Sequence, residues 1–306
     1  MTRADVVLVY KKSQLQLALE KKNERIQHLL KSRHVSVRPM KDAHDAHCET
    51  LLQVERMLKE AGCRVKKVYR GRLRPEHAQG RLLITVGGDG TLLDASHKVK
   101  DAPALGVNSD TTHSVGFLCA ADIRSFGAFL GDILSGRLAP TRVQRLQGKV
   151  DGVALPFPVL NDLLMSHKNP AATSRYLVSC GDIVEDHKSS GLWVSTAAGS
   201  TAAMMSAGGE VQAIDDDRLQ LRVREPFTAD GPAMRLPAIF FRGGETVTLT
   251  SKMREGRIWL DGPHNEVNWP MGSQVTLDAG APPLHLYTTP EMATRRQRAR
   301  ARTSGS

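Results

Sequence analysis

From Val6 to Tyr10 every residue is apolar, the pattern of a strand buried on both faces. Leu15, Leu19, Ile26, Leu29 and Leu30 then recur at helical spacing among Lys, Glu and Gln, which predicts a helix over 15–30. A second helix is expected through Leu51, Leu52, Val54, Met57, Leu58 and Ala61. Gly62 stops it, because glycine enters the left-handed conformation without steric cost. Val65–Tyr69, Leu82–Val86 and Ala104–Val107 read as further strands. Asp122 reads as the N-cap of a helix through Phe126, Phe129, Leu130, Ile133 and Leu134, which Gly136 ends. Strands alternating with helices predict an open, mainly parallel α/β sheet with helices on both faces.

After about Pro140 the period changes. Leu219-Leu221-Val223, Val247-Leu249 and Ile258-Leu260 alternate with polar residues. Turn residues recur between such stretches, at Asp151-Gly152, Gly243-Gly244, Asp261-Gly262 and Pro270-Met271-Gly272. This predicts a β-rich antiparallel second half, with Ser200–Ala207 as its one helical-looking exception. No internal repeat is present. The chain after Pro290 is Arg-rich and is expected to be a solvated tail, frayed at its end.

At 306 residues the chain is long enough for roughly two domains of about 100–200 residues. It carries 42 Lys plus Arg against 32 Asp plus Glu, a net charge of +10. Arg295, Arg296, Arg298, Arg300 and Arg302 supply about half of that excess, so the body is only weakly positive. Such a field suits polyanionic small molecules such as nucleotides. With 5% aromatic residues there are few platforms for stacking bases, and no nucleic-acid partner is expected. No run approaches the roughly 20 apolar residues of a membrane helix, so no membrane partner is expected. Lys11 and Lys12 end the first apolar patch too early for a secretory segment, and a cytoplasmic location is expected. Cys48, Cys63, Cys119 and Cys180 are scattered, with no C-x-x-C, which argues against disulfides or structural zinc.

The segment that carries chemistry is Leu82-Leu-Ile-Thr-Val-Gly-Gly-Asp-Gly-Thr-Leu-Leu-Asp94. An apolar strand runs into a glycine turn, and a helical pattern follows. Ligands bind at the C-terminal ends of strands in open α/β sheets. Gly87, Gly88 and Gly90 let the backbone approach a phosphate, N–H groups at the helix start point at the anion, and Thr91 caps the helix or adds a hydrogen bond. Neither G-x-G-x-x-G after a strand nor G-x-x-x-x-G-K-[ST] is present, so the loop is not one of the two common phosphate loops. A plain turn has no need of Asp89 beside three glycines, and a carboxylate repels an anion. It belongs there if it accepts a proton from a hydroxyl that attacks the phosphate, or holds the magnesium bridging the phosphates. A second segment, Gly191 to Gly209, is dominated by Gly, Ala, Ser and Thr, as suits either a flat ligand lying on backbone or a tight helix–sheet contact. A third element, Asn161-Asp162 before Leu163–Met165, is by itself only a turn signal.

Together these elements resemble the NAD kinase family. Its members carry Gly-Gly-Asp-Gly-Thr, matched at 87–91, then an Asn–acidic pair, matched at 161–162, then Gly-Leu-x-x-Ser-Thr-x-x-Gly-Ser-Thr-Ala ending in Ser-Ala-Gly-Gly, matched at 191–209. Gly106-Val107-Asn108 followed by Gly116-Phe117-Leu118, and Arg257-Ile-Trp-Leu-Asp-Gly262, are similar to further family segments. The likeness extends to about residue 285. Most members read Asp-Gly-Leu and then Ser-Thr-Pro-Thr-Gly-Ser-Thr-Ala-Tyr; here Ser190, Ala197, Ala198 and Ala203 depart from that, in the manner of the plant-type NADH kinases.

The resemblance implies an NAD kinase-like fold: an α/β domain over 1–139, a β-rich dinucleotide-binding domain over 140–283, and a return to the first domain with a basic tail over 284–306. It implies transfer of the ATP γ-phosphoryl group to the 2′-hydroxyl of the adenosine ribose of NAD or NADH, possible preference for NADH, and a homodimer. Asp89 is the expected base. Gly87, Gly88, Gly90 and Thr91 are expected on phosphate, and Asp89, Gly90, Asn161, Asp162, Ser190, Thr201, Ala202 and Ser206 on NAD(H). Magnesium (Mg2+) is expected to arrive with ATP, and no resident metal is expected, the histidines lacking H-E-x-x-H; His97 and His113 read as surface or packing. Two rivals remain: a lipid or sphingoid-type kinase sharing the glycine loop, and a non-catalytic dinucleotide-binding regulator.

Overall fold

The first apolar run forms strand β1 (Asp5–Tyr10), whose four central residues are buried. The computed structural model describes residues 4–227 and 234–303. Its contacts fall into two units, Met1–Thr141 with His285–Met292, and Arg142–Leu284 with Ala293–Ser306.

In the first unit β1 lies between β2 (Arg64–Tyr69) and β3 (Leu82–Gly87), and β3 pairs in turn with β4 (Ala104–Asn108). Every pairing is parallel, and β5 (Ala121–Asp122) and Leu286 add parallel partners to β4. The helices are α1 (Gln14–Glu20), α2 (Glu24–Lys31), α3 (Arg38–Glu60), α4 (Pro75–Ala78), α5 (Asp89–Ser96) and α6 (Phe126–Leu134). Leu51, Val54 and Leu58 of α3 and Phe126 and Leu130 of α6 share one core with Val6, Leu8, Ile84, Val86, Leu105 and Val107 of the sheet. Burial on both faces explains why β1, β3 and β4 read as unbroken apolar runs.

The structure corrects three details of this half. The apolar spacing over 15–30 is two helices, because Lys22 is left-handed (φ 51°) and the Asn23 carboxamide caps the second by accepting the Ile26 N–H at 3.0 Å. Helix α3 begins at Arg38, well before the apolar stripe, across a polar stretch with proline near its start. Asp122 does not cap α6; Ser125 holds that position, while the Asp122 carboxylate accepts the Arg124 and Ser125 N–H groups in the turn before it.

The second unit is antiparallel. One sheet runs in the order β10 (Ile183–Ser189), β9 (Ser174–Cys180), β14 (Val247–Ser251) and β17 (Gln274–Leu286). Strand β6 (Thr141–Val150) joins β17 and forms a hairpin with β7 (Val153–Ala154) through Asp151-Gly152. Both turn residues have positive φ, 50° and 82°, as a tight two-residue hairpin requires. The second sheet runs β13 (Ala238–Phe241), β12 (Leu219–Val223), β11 (Leu192–Ser195), β8 (Asp162–His167), β15 (Gly256–Leu260) and β16 (Glu266–Asn268). Both sheets contribute to one core around Met165, Val178, Val194, Leu249, Leu277 and Trp269.

The helical-looking stretch at 200–207 is a 3-10 turn, Ala198–Thr201, followed by the short α7 (Ala203–Ser206). The expected solvated tail is instead helix α8 (Pro290–Thr303), with Met292, Arg296 and Ala299 buried along one face. Their spacing is helical, but five arginines within the helix mask it. Residues 304–306, where the fraying was expected, lie outside the described residues. All four cysteines are free thiols. Among the described residues no helix is long and apolar enough to cross a membrane.

Candidate active site

Strand β3 delivers Gly87-Gly88 to the C-terminal edge of the parallel sheet, and α5 starts at Asp89. The turn needs its first glycine: a Cβ on Gly87 would lie 2.2 Å from the Thr91 hydroxyl oxygen. Gly88 is the extended N-cap, and its carbonyl accepts the Thr91 N–H at 2.9 Å. Thr91 is 1% exposed, and its hydroxyl has no hydrogen-bond partner among the described residues, so it does not cap the helix.

The Asp89 carboxylate is held by a distant loop. One oxygen accepts the Phe117 N–H and the other the Leu118 N–H, each at 2.9 Å, and the Cys119 thiol approaches at 3.7 Å. That loop is fastened in turn: the Asn108 carboxamide donates to the Ser114 carbonyl at 2.9 Å, and the Ser109 N–H donates to Gly87 O at 3.0 Å. The oxygen that accepts the Phe117 N–H keeps a second lone pair for a hydroxyl proton. Gly90 is exposed beside it, so the turn is open to a ligand.

In the second unit Asn161 and Asp162 open β8, held by Asp261 at the end of β15. The Asp261 carboxylate accepts the N–H groups of Leu160, Asn161 and Asp162 at 2.9, 2.7 and 3.1 Å. Asp261 itself is left-handed, with φ 47°. Burial, and then the Asp261 charge, push the Asp162 carboxyl up to about 7. The Asn161 carboxamide oxygen and the Ser195 hydroxyl are buried without partners among the described residues. Unsatisfied buried polar atoms are costly, and here they cluster where a ligand is expected.

Gly199 lies directly against this pair; a Cβ there would sit 2.2 Å from the Asn161 carbonyl oxygen. The Thr196 N–H donates to the same oxygen at 2.9 Å, and its hydroxyl donates to Leu160 O. Ser200 donates to Ala197 O at 2.8 Å and accepts the Gln212 N–H at 2.9 Å. Asn161, Asp162, Thr201 and Ala202 are thus brought into one neighbourhood by β8, β11 and the 3-10 turn. Ser206 is exposed at the end of α7. Ser190 stands apart, two residues before β11, whose start at Leu192 pairs with Met165 while its end at Ser195 pairs with Asp162.

Two side chains that organise this segment were not singled out as site residues. Asp261 was visible as an Asp-Gly turn within the Arg257–Gly262 segment that is similar to the family's. Arg296 is 3% exposed and reaches the carbonyls of Ala197 and Ala198 and the Thr201 hydroxyl from α8. Its only sequence signal was the buried-face spacing of Met292, Arg296 and Ala299. Among the described residues no three His, Cys, Asp or Glu side chains converge to hold a metal ion.

The family model described as the ATP-NAD kinase N-terminal domain matches residues 6–138. A probable NADH kinase of Oryza sativa subsp. japonica is 36% identical over 234 residues, covering 67% of this chain and 70% of the relative. An NADH kinase of Arabidopsis thaliana is 34% identical over 245 residues, covering 67% and 72%. An Archaeoglobus fulgidus NAD kinase solved in complex with ATP superposes with a TM-score of 0.70 at 18% identity, covering 96% of this chain and 99% of that one. Yeast NADH kinase complexed with NADH gives 0.68 at 14% identity, covering 97% and 87%. The fold is that of the NAD kinases, and by its likeness to the plant relatives the chain belongs to the NAD kinase family.

Proposed function

We propose that this NAD kinase family member transfers the γ-phosphoryl group of ATP to the 2′-hydroxyl of the adenosine ribose of NAD(H), with NADH the preferred acceptor. The observation that carries the reading is the Asp89 carboxylate, pinned by two backbone amides at the mouth of a glycine turn. Phosphoryl transfer has a loose transition state, so positioning and charge neutralisation do most of the work. Asp89 orients the attacking hydroxyl and takes its proton as the oxygen–phosphorus bond forms and ADP leaves. The glycine turn, Gly87, Gly88 and Gly90, receives phosphate oxygens, and the buried Thr91 packs behind it. The donor is taken as its magnesium complex, in which the metal would supply charge neutralisation on the phosphates. Asn161, Asp162, Thr201, Ala202 and Ser206 bind the dinucleotide.

Ser190 supports the preference for NADH. The oxidised nicotinamide ring is cationic and the reduced ring is neutral, so a serine where most of the family has a carboxylate removes an attraction for NAD. A homodimer in the cytoplasm completes the reading; unpaired edges at β2, β13 and β16 offer surfaces for association. The test is a coupled assay with NAD and NADH as acceptors, each with ATP and with polyphosphate. Turnover with NADH and ATP above that with NAD is expected, and absence of transfer to either acceptor removes the assignment.

A further inference from the structure

Two cations stand at the C-terminal edge of the parallel sheet, outside the glycine turn. Lys11 follows β1, the neighbour of β3, and Arg70 follows β2. Their neighbours Lys12 and Asp94 show what an ordinary structural role looks like here. Lys12 reaches Glu20 at 2.6 Å and covers the Tyr69 ring. Arg70 meets Asp94 of α5 at 2.9 Å. Lys11 does neither: its ammonium has no hydrogen bond or ion pair among the described residues, although the side chain is half-buried.

Its backbone is held firmly. His47 of α3, 3% exposed, donates from Nε2 to the Lys11 carbonyl at 2.9 Å, which leaves Nδ1 to accept the Ser109 hydroxyl at 3.0 Å. Lys11 lies within electrostatic reach of Arg70, of Asp110 and of Cys119, whose thiol touches the Asp89 carboxylate. Asp110 is already engaged, accepting the Thr112 and His113 N–H groups and the His113 ring. Burial and the Arg70 guanidinium hold the Lys11 ammonium below the ordinary lysine range. A half-buried cation near another cation, with no carboxylate paired to it among the described residues, is destabilising until an anion arrives.

We propose that Lys11, backed by Arg70, receives the terminal phosphates of the phosphoryl donor, a chain of anhydride-linked phosphates. This rests on the kinase reading and extends it: the glycine turn supplies N–H groups, and these side chains supply the positive charge that a triphosphate requires. Arg70 stays tethered to Asp94, so Lys11 is the group free to follow the ligand.

The test is calorimetric titration with magnesium-ATP and, separately, inorganic tripolyphosphate, on the wild type, Lys11→Met, Lys11→Arg and Arg70→Gln, with NADH titrations alongside. Lys11→Met is expected to weaken both donors about tenfold to a hundredfold, the scale of one lost charge-assisted hydrogen bond, with Lys11→Arg in between. NADH affinity should stay within about twofold. A loss for magnesium-ATP but not tripolyphosphate places Lys11 on the nucleoside and overturns the assignment. So does an unchanged donor affinity, or an equal loss for NADH. Should Lys11→Met fail to fold, Arg70→Gln carries the test: a donor-selective loss supports the proposal and wild-type donor affinity overturns it. A wild type that binds tripolyphosphate through Lys11 but transfers nothing to NAD(H) would sink the kinase reading and leave the anion site standing.

Discussion

Arg296 donates to the Thr201 hydroxyl at 3.4 Å and to the Ala198 carbonyl at 3.1 Å, so a residue of the C-terminal helix closes the segment that begins at Ser195. The Ala197 and Ala198 carbonyls open the 3-10 turn, and a guanidinium donates to several acceptors at once. Arg296→Met is therefore expected to weaken NAD(H) binding about tenfold or more, the scale of a lost charged hydrogen bond, and to lower the melting temperature. Arg296→Lys should recover part of both. Truncation at Pro290, which a solvated tail would tolerate, should instead cost turnover, because it removes the buried Met292, Arg296 and Ala299. Full activity in the truncated chain would show that α8 is dispensable.

Asp162 gives a pH prediction. Burial beside Asp261 raises its carboxyl to about 7, against roughly 3.9 in an unfolded chain. Between those values the folded state binds the extra proton, so its contribution to stability is present at low pH and is lost as pH rises to about 7. Asp162→Asn should thus melt above the wild type at about pH 8, with the gap closing towards about pH 5. Parallel melting curves across that range would place Asp162 in a wetter setting.

Asp89→Asn is expected to lose about 10²- to 10⁴-fold in turnover, the usual worth of a positioned general base, while NADH binding persists. The carboxamide also turns an N–H towards the Phe117 or Leu118 amide, so a modest loss of thermal stability should accompany it. Single-turnover rates with binding measured separately distinguish the two effects. Retained turnover would remove Asp89 from the chemistry.

Gly199→Ala drives a methyl group to 2.2 Å from the Asn161 carbonyl oxygen, a backbone atom that cannot swing aside. Overpacking of this kind costs about 1–3 kcal/mol, and NAD(H) affinity should fall with it. Gly90→Ala, with nothing within 4 Å of the added carbon, is the control for folding and should melt close to the wild type.

Ser190→Asp should raise activity on NAD relative to NADH, through attraction of the cationic ring. The measurement is the ratio of kcat/KM for the two acceptors. An unchanged ratio would mean that Ser190, set apart from the Asn161 cluster, does not face the nicotinamide.

The sequence by itself determined the core strands and the glycine turn. Unbroken apolar runs at β1, β3 and β4, alternation after Pro140, and the closely spaced glycines of the 87–90 turn are local properties, written residue by residue. The family motifs were equally legible, being contiguous. What only the tertiary structure decided is which groups meet across long chain separations: Asp89 with Phe117 and Leu118, Asp261 with Leu160 to Asp162, and Arg296 with Ala198 and Thr201. Hydrogen bonds between residues 28 to 101 positions apart leave no period in the sequence. A buried arginine and an exposed one are the same letter, and packing alone tells Arg296 from its neighbours.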